Sequence, residues 1–243
     1  MFKSFSRKPR FRRHRDPRPQ PRPHGPGIVI LLAVFYLALL MLLPLPSHYR
    51  GDERLYTDAA LTMMQSGDYL TPTFSDGSER FNKPPLFYWL IAVCFKIFGV
   101  NLLSSRIASL AAGCLLVGVT YAISHEVFKS KGRAMASASI MALNIQLLYL
   151  SIRATPDAVQ TFFVTLSFCG FFALVFAQRR TPLHFAMAYL GAALAFLTKG
   201  MMGLLPVAFS IGFCLFHRRA GVRARDLIDV RWLLAATVLA CSW

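Results

Sequence analysis

Asp52, Glu53, Lys83, Arg106, Asp157 and Lys199 are the residues of this 243-residue chain whose types and places could do chemistry. Six of its eleven acidic residues fall between Asp52 and Glu79, in a sequence that is otherwise mostly apolar or basic. A carboxylate in such a loop can act as general base toward a hydroxyl. Cations facing it, here Lys83, Arg106 and Lys199, suit an anionic leaving group, because positive charge stabilises the charge that develops on a departing phosphate. Each residue also has a plainer reading. Asp52 and Glu53 fit a helix start, where acids cap and favour the dipole. Lys83 fits an interfacial anchor beside Tyr88 and Trp89, and Arg106 a snorkelled side chain or an ion pair with a loop acid. Asp157, after Pro156, fits a cap; Lys199, before Gly200, fits a turn lysine.

The elements that must hold these residues are apolar. Hydrophobic residues make up 55% of the chain, above the ~45–50% of soluble domains, and several apolar runs approach the ~20 residues of a bilayer-spanning helix. The formal charge of +16 raises a nucleic-acid reading, but its distribution argues otherwise. Nine basic residues against Asp16 place +8 before Gly27, in a Pro-rich tail that cannot build a core. That tail, residues 1–26, is expected to be disordered, cytoplasmic and in contact with anionic lipid. The five cysteines sit singly in apolar runs and the histidines are scattered, so no metal or redox set is present in the spacing. The first apolar run, 27–46, is too long for a signal peptide and lacks a small-residue cleavage site, which predicts a retained anchor.

Residues 52–66 carry Leu55, Tyr56, Ala59, Ala60, Met63 and Met64 at helical spacing before Gly67, predicting an amphipathic interfacial helix with a glycine stop. Further apolar runs lie at about 84–98, 104–124, 133–150, 157–177, 182–198, 200–216 and 231–243. If all cross, the basic tail faces away from the basic loops at 129–133, 179–180 and 218–231, against the positive-inside tendency. If 84–98 does not cross, all four clusters share one side. That run of about 15 residues reaches ~23 Å, short of a ~30 Å hydrocarbon core. It is therefore expected to lie in or re-enter the interface, placing Asp52–Arg106, Asp157 and Lys199 on the outer face. Ionisable groups at helix ends there are functional candidates. The expectation is an all-α, polytopic transmembrane helix bundle over 27–243, with interfacial helices in a first outer loop at about 47–103.

The residues Asp52-Glu53 with Tyr56, Ser66-Gly67-Asp68, Lys83-Pro84-Pro85-Leu86 with Tyr88-Trp89, Phe98-Gly99, Arg106, Asp157 and Thr198-Lys199-Gly200 resemble, in order, the membrane glycosyltransferases of the protein O-mannosyltransferase and aminoarabinose-transferase group, within the GT-C superfamily. The resemblance covers about residues 28–243. It implies a multi-pass enzyme of the bacterial inner membrane, with its site on the periplasmic face, that moves a sugar from a polyprenyl phosphate to a lipid (lipid A-like) or protein acceptor with inversion. By position it implies Asp52 as base with Glu53 beside it, and Asp157 ordering the site. Lys83 would bind the donor phosphate, helped by Arg106, Tyr56, Tyr88 and Lys199. No cofactor is implied as required. The glutamate that aminoarabinose transferases commonly place before Lys-Pro-Pro is Asn82 here, so a divalent metal stays open. Family members run to about twice this length, and the last apolar run is short for a span, so a C-terminal continuation is expected. A transporter or flippase for an anionic lipid or sugar is the alternative. It would use the same cations without a base; inverted repeats or broken helices near mid-membrane would favour it, and the sequence shows neither.

Overall fold

The computed structural model describes residues 27–42, 47–216 and 227–243. The expected disordered tail, the end of the first apolar run and the arginines at 218–225 lie outside the described residues. The described chain is helical, relieved only by an isolated antiparallel bridge between Thr73 and Glu79. Its helices are α1 (Gly27–Leu42), α2 (Asp52–Ser66), α3 (Leu86–Phe98), α4 (Leu102–Phe128) and α5 (Lys131–Ala142). They continue as α6 (Ile145–Ser151), α7 (Asp157–Val175), α8 (Pro182–Lys199), α9 (Leu205–Phe216) and α10 (Val230–Ala240), with a 3-10 turn Met201–Leu204 before α9.

Local sequence explains most boundaries. α2 ends where Gly67 turns left-handed (φ 76°) and its N–H returns to the Met63 carbonyl, an αL stop that costs glycine nothing. α3 starts only at Leu86, because Pro84 and Pro85 cannot donate into a preceding turn. Asn101 caps α4 in a reciprocal box with Ser104.

The run expected as one helix over 133–150 is instead two, α5 and α6, bent by 59°. Asn144 accounts for the break. Its side chain accepts the Leu147 N–H at 2.9 Å, starting a new helix where a continuous one would have run through.

Among the described residues two helices, α4 with 27 residues and α7 with 19, are long and apolar enough to cross a membrane, and the bent α5–α6 pair makes a third if counted as one. α7 and α8 pack most closely. A Cβ on Gly170 would lie 2.3 Å from the Ala188 nitrogen, and one on Gly191 3.0 Å from the Ser167 nitrogen. The Ser167 hydroxyl donates to the Ala188 carbonyl at 2.6 Å. Small residues and a buried hydroxyl are how helices associate where lipid removes the hydrophobic drive.

The bundle has two chemically different ends. Near the end of α4, Glu126 pairs with Lys129 at 2.6 Å and with Arg179, beyond α7, at 3.4 Å. At the opposite end Arg106, in the second turn of α4, reaches the carbonyl of His48, just past α1. The start of α4 therefore lies beside the segment between α1 and α2.

Candidate functional site

The site end is organised around a carboxylate that water does not reach. Glu53 is 0% exposed and Arg106 1%. Glu53 Oε1 accepts from Arg106 Nε at 3.1 Å and from the Ala154 N–H at 2.8 Å. Oε2 accepts the Arg50 N–H at 3.1 Å and Arg106 Nη2 at 3.4 Å, with Arg153 Nε 3.7 Å away. Such a pair is tolerable in the interior only because so many bonds satisfy it. It ties the start of α2, the start of α4 and the α6–α7 turn into one body. Ser109 adds a hydroxyl bond to the Thr155 carbonyl at 3.1 Å.

Gly51 (φ 53°) precedes α2, so Asp52 is the first helical residue and neither acid is the cap. Asp52 is exposed, and no hydrogen bond or ion pair holds its carboxylate among the described residues. It borders a half-polar cleft of about 350 Å³ lined by Gly51, Asp52, Leu150, Arg153, Thr155 and Asp157. Across the cleft Asp157, the first residue of α7, pairs with Lys199, the last of α8. Each charge thereby meets the favourable end of its helix dipole.

Tyr56 and Tyr88 form a separate aromatic group beside the cleft. Tyr56 is edge-on to Phe87, with centroids 5.4 Å apart, and lies 5.6 Å from Tyr88. Burial, with Tyr88 nearby, pushes the Tyr56 phenol up to about 12, Arg80 opposing and Asp52 adding to it. Burial likewise raises Tyr88, against the pull of Arg80.

The structure thus brings Asp52 and Asp157 to one cleft, with Lys199 joined through Asp157. It sets Glu53 and Arg106 behind them, and groups Tyr56 with Tyr88. Lys83 is half-buried on the loop before α3, without an ion pair among the described residues, and is not part of the cleft lining.

Two arginines escaped the sequence reading. Arg153 lines the cleft, donates to the Arg50 carbonyl at 2.8 Å and holds the Tyr149 hydroxyl, its guanidinium 5.0 Å from that ring. The signal available was its place at an apolar helix end, four residues before Asp157. Arg80 is 93% withdrawn from solvent (7% exposed), which nothing in the loop sequence announced. Among the described residues no group of three His, Cys, Asp or Glu side chains could hold a metal ion.

Fold and site together define a helical membrane protein with an ionic cleft at one end of its bundle. The chain belongs to the dolichyl-phosphate-mannose-protein mannosyltransferase family, whose model it matches over residues 82–243. It is 32% identical over 208 residues to an undecaprenyl phosphate-alpha-4-amino-4-deoxy-L-arabinose arabinosyl transferase of Pseudomonas aeruginosa (strain LESB58), covering 83% of this chain and 37% of that protein. To an uncharacterized protein of Aquifex aeolicus (strain VF5) it is 32% identical over 181 residues, 74% of this chain and 35% of the other. Its fold is similar to the crystal structure of ArnT from Cupriavidus metallidurans bound to undecaprenyl phosphate, with a TM-score of 0.73 at 22% identity, covering 90% of this chain and 41% of that one. The chain spans little more than a third of the length of the curated relatives it matches. Its apolar spans and these relatives mark a bacterial inner-membrane protein.

Proposed function

We propose that this chain carries the reacting part of a glycosyltransferase that moves a sugar from a polyprenyl-phosphate donor to a lipid acceptor of the lipid A kind, or to a protein, at the periplasmic face. The observation that carries the reading is the free carboxylate of Asp52 over a cleft shared with Arg153, Thr155 and Asp157. Family membership supports the reaction class, and the names of the Pseudomonas relatives support an undecaprenyl phosphate carrier.

In this reading an acceptor hydroxyl enters the cleft and gives its proton to Asp52. Its oxygen attacks the anomeric carbon from the face opposite the donor phosphate, the carbon–oxygen bond to that phosphate breaks, and the configuration inverts. The polyprenyl phosphate leaves as an anion, met by Lys83. Glu53 has both oxygens occupied, so its part is to hold Arg106, Arg153 and the turn that presents Asp52. Asp157, neutralised by Lys199, orders the far wall, and Tyr56 and Tyr88 supply a neutral aromatic surface for the sugar. A transport reading would need no base beside the cleft.

Asp52→Asn, expressed in the full-length protein and assayed in membranes with lipid-linked donor, is expected to abolish transfer while leaving membrane insertion unchanged. Full activity in that variant would sink the assignment.

A further inference from the structure

Of the two buried arginines among the described residues, Arg106 has Glu53 and Arg80 has no acid at all. Among the described residues the Arg80 side chain meets neutral phenols rather than a carboxylate: Nε donates to the Tyr88 hydroxyl at 2.8 Å, and a second side-chain hydrogen bond joins Arg80 to Tyr56. Its guanidinium carbon stands 4.9 Å from the Tyr56 ring centroid and 5.1 Å from that of Phe74. Rings of this kind attract a cation, but a desolvated charge ordinarily also finds a counter-ion.

The surrounding backbone is built to keep the cation there. The Arg80 N–H is bonded to the Pro72 carbonyl at 2.7 Å, and Phe74 and Ser78 close a small hairpin at 2.9 Å. Asp58, on α2, accepts the Ser75 N–H and hydroxyl at 3.0 and 3.1 Å and pins the hairpin tip. The ring that Arg80 covers belongs to Tyr56, one turn along α2 from Asp52. Every nearby carboxylate is engaged elsewhere or exposed: Glu53 with Arg106, Asp157 with Lys199, Asp58 with Ser75.

We propose that Arg80 is an anion-binding residue of this site, its aromatic cage holding an uncompensated guanidinium for a substrate phosphate. The missing counter-ion is then supplied by the ligand, one tyrosine's breadth from the base. Lys83, three residues on and also without an acid partner among the described residues, adds a second positive charge on the same loop. The proposal deepens the transferase reading and rests on it for the identity of the substrate, but not for the binding itself.

The test uses the full-length protein in nanodiscs, with affinity measured without turnover. The probes are undecaprenyl phosphate against undecaprenol, and lipid A against its dephosphorylated form. A charge-assisted bond to phosphate is worth about tenfold or more in affinity. Arg80→Met is therefore expected to lose about tenfold or more for one phosphorylated probe, with the neutral counterpart unchanged and Arg80→Lys recovering part of the loss. Loss with undecaprenyl phosphate places the donor phosphate at Arg80; loss with lipid A places the acceptor's. The melting temperature of Arg80→Met is expected to equal or exceed that of wild type, since an unpaired buried charge has been removed. Equal affinities for all probes in wild type and variant overturn the proposal, as does a lowered melting temperature with all four probes weakened alike. If the protein transfers no sugar yet binds a phosphate probe through Arg80, the transferase reading fails and the anion site stands. If it transfers sugar and Arg80→Met binds like wild type, the anion site alone fails.

Discussion

At the residue scale the two neighbouring acids of α2 have different tasks. Asp52 borders open space; Glu53 is sealed under two arginines and two backbone amides. Removing one partner of such a pair leaves the other buried and uncompensated, at about 3–5 kcal/mol. Glu53→Gln is therefore expected to lower the thermal midpoint of the detergent-solubilised protein markedly, whereas Asp52→Asn is expected to leave it within error. Replacing Glu53 and Arg106 together by methionine should recover part of the loss, because the buried guanidinium leaves with its partner while Arg153 and the Ala154 and Arg50 amides still lose theirs. The sequence made the Asp-Glu pair legible as a candidate site and could not separate the surroundings of the two. That difference depends on Ala154 and Arg153, a hundred residues further along. Lys83 tests the donor contact separately. Lys83→Ala is expected to weaken competition by free polyprenyl phosphate more than it weakens acceptor use.

Elements carry the next set of consequences. The amphipathic α2 and the late, short α3 were readable from spacing, from Gly67 and from Pro84-Pro85, because each signal is local. The break between α5 and α6 was not, since Asn144 inside an apolar run reads as a tolerated polar residue until its side chain is seen to cap. Asn144→Ala is expected to cost about 1 kcal/mol, and the loss should register at the site, because α6 leads directly to Arg153. The α7–α8 contact sets a stricter limit. With a Cβ at Gly170 only 2.3 Å from backbone, Gly170→Leu must separate the helices, an overpacking of about 1–3 kcal/mol or more. That separation would pull Lys199 from Asp157. Accelerated proteolysis of the folded protein in detergent is the expected readout.

At the scale of the whole molecule, the ion pairs among the described residues gather at two ends. Glu126, Lys129 and Arg179 gather at one end, Glu53, Arg106, Asp157 and Lys199 at the other. Loop charge suggests that these two ends face opposite sides of the membrane, which is a proposal to be tested by labelling. In a cysteine-free background, Ser130→Cys is expected to resist a membrane-impermeant maleimide added outside the cell, while Ser78→Cys reacts. Equal labelling of the two would refute the proposed orientation. What stayed illegible is the pairing of particular charges across distant helices, because composition tells only how many there are.

The same separation makes α4 a gauge. From Arg106 to Glu126 the helix advances 20 residues (126 − 106), or ~30 Å at 1.5 Å per residue, the thickness of a typical hydrocarbon core. Two ionic clusters fixed at that spacing on one helix match a hydrocarbon core of that depth. A thinner membrane must be met by tilting the helix. Because Arg106 grips the turn bearing Asp52, the tilt is delivered to the cleft, and lipid thickness becomes a variable of the site.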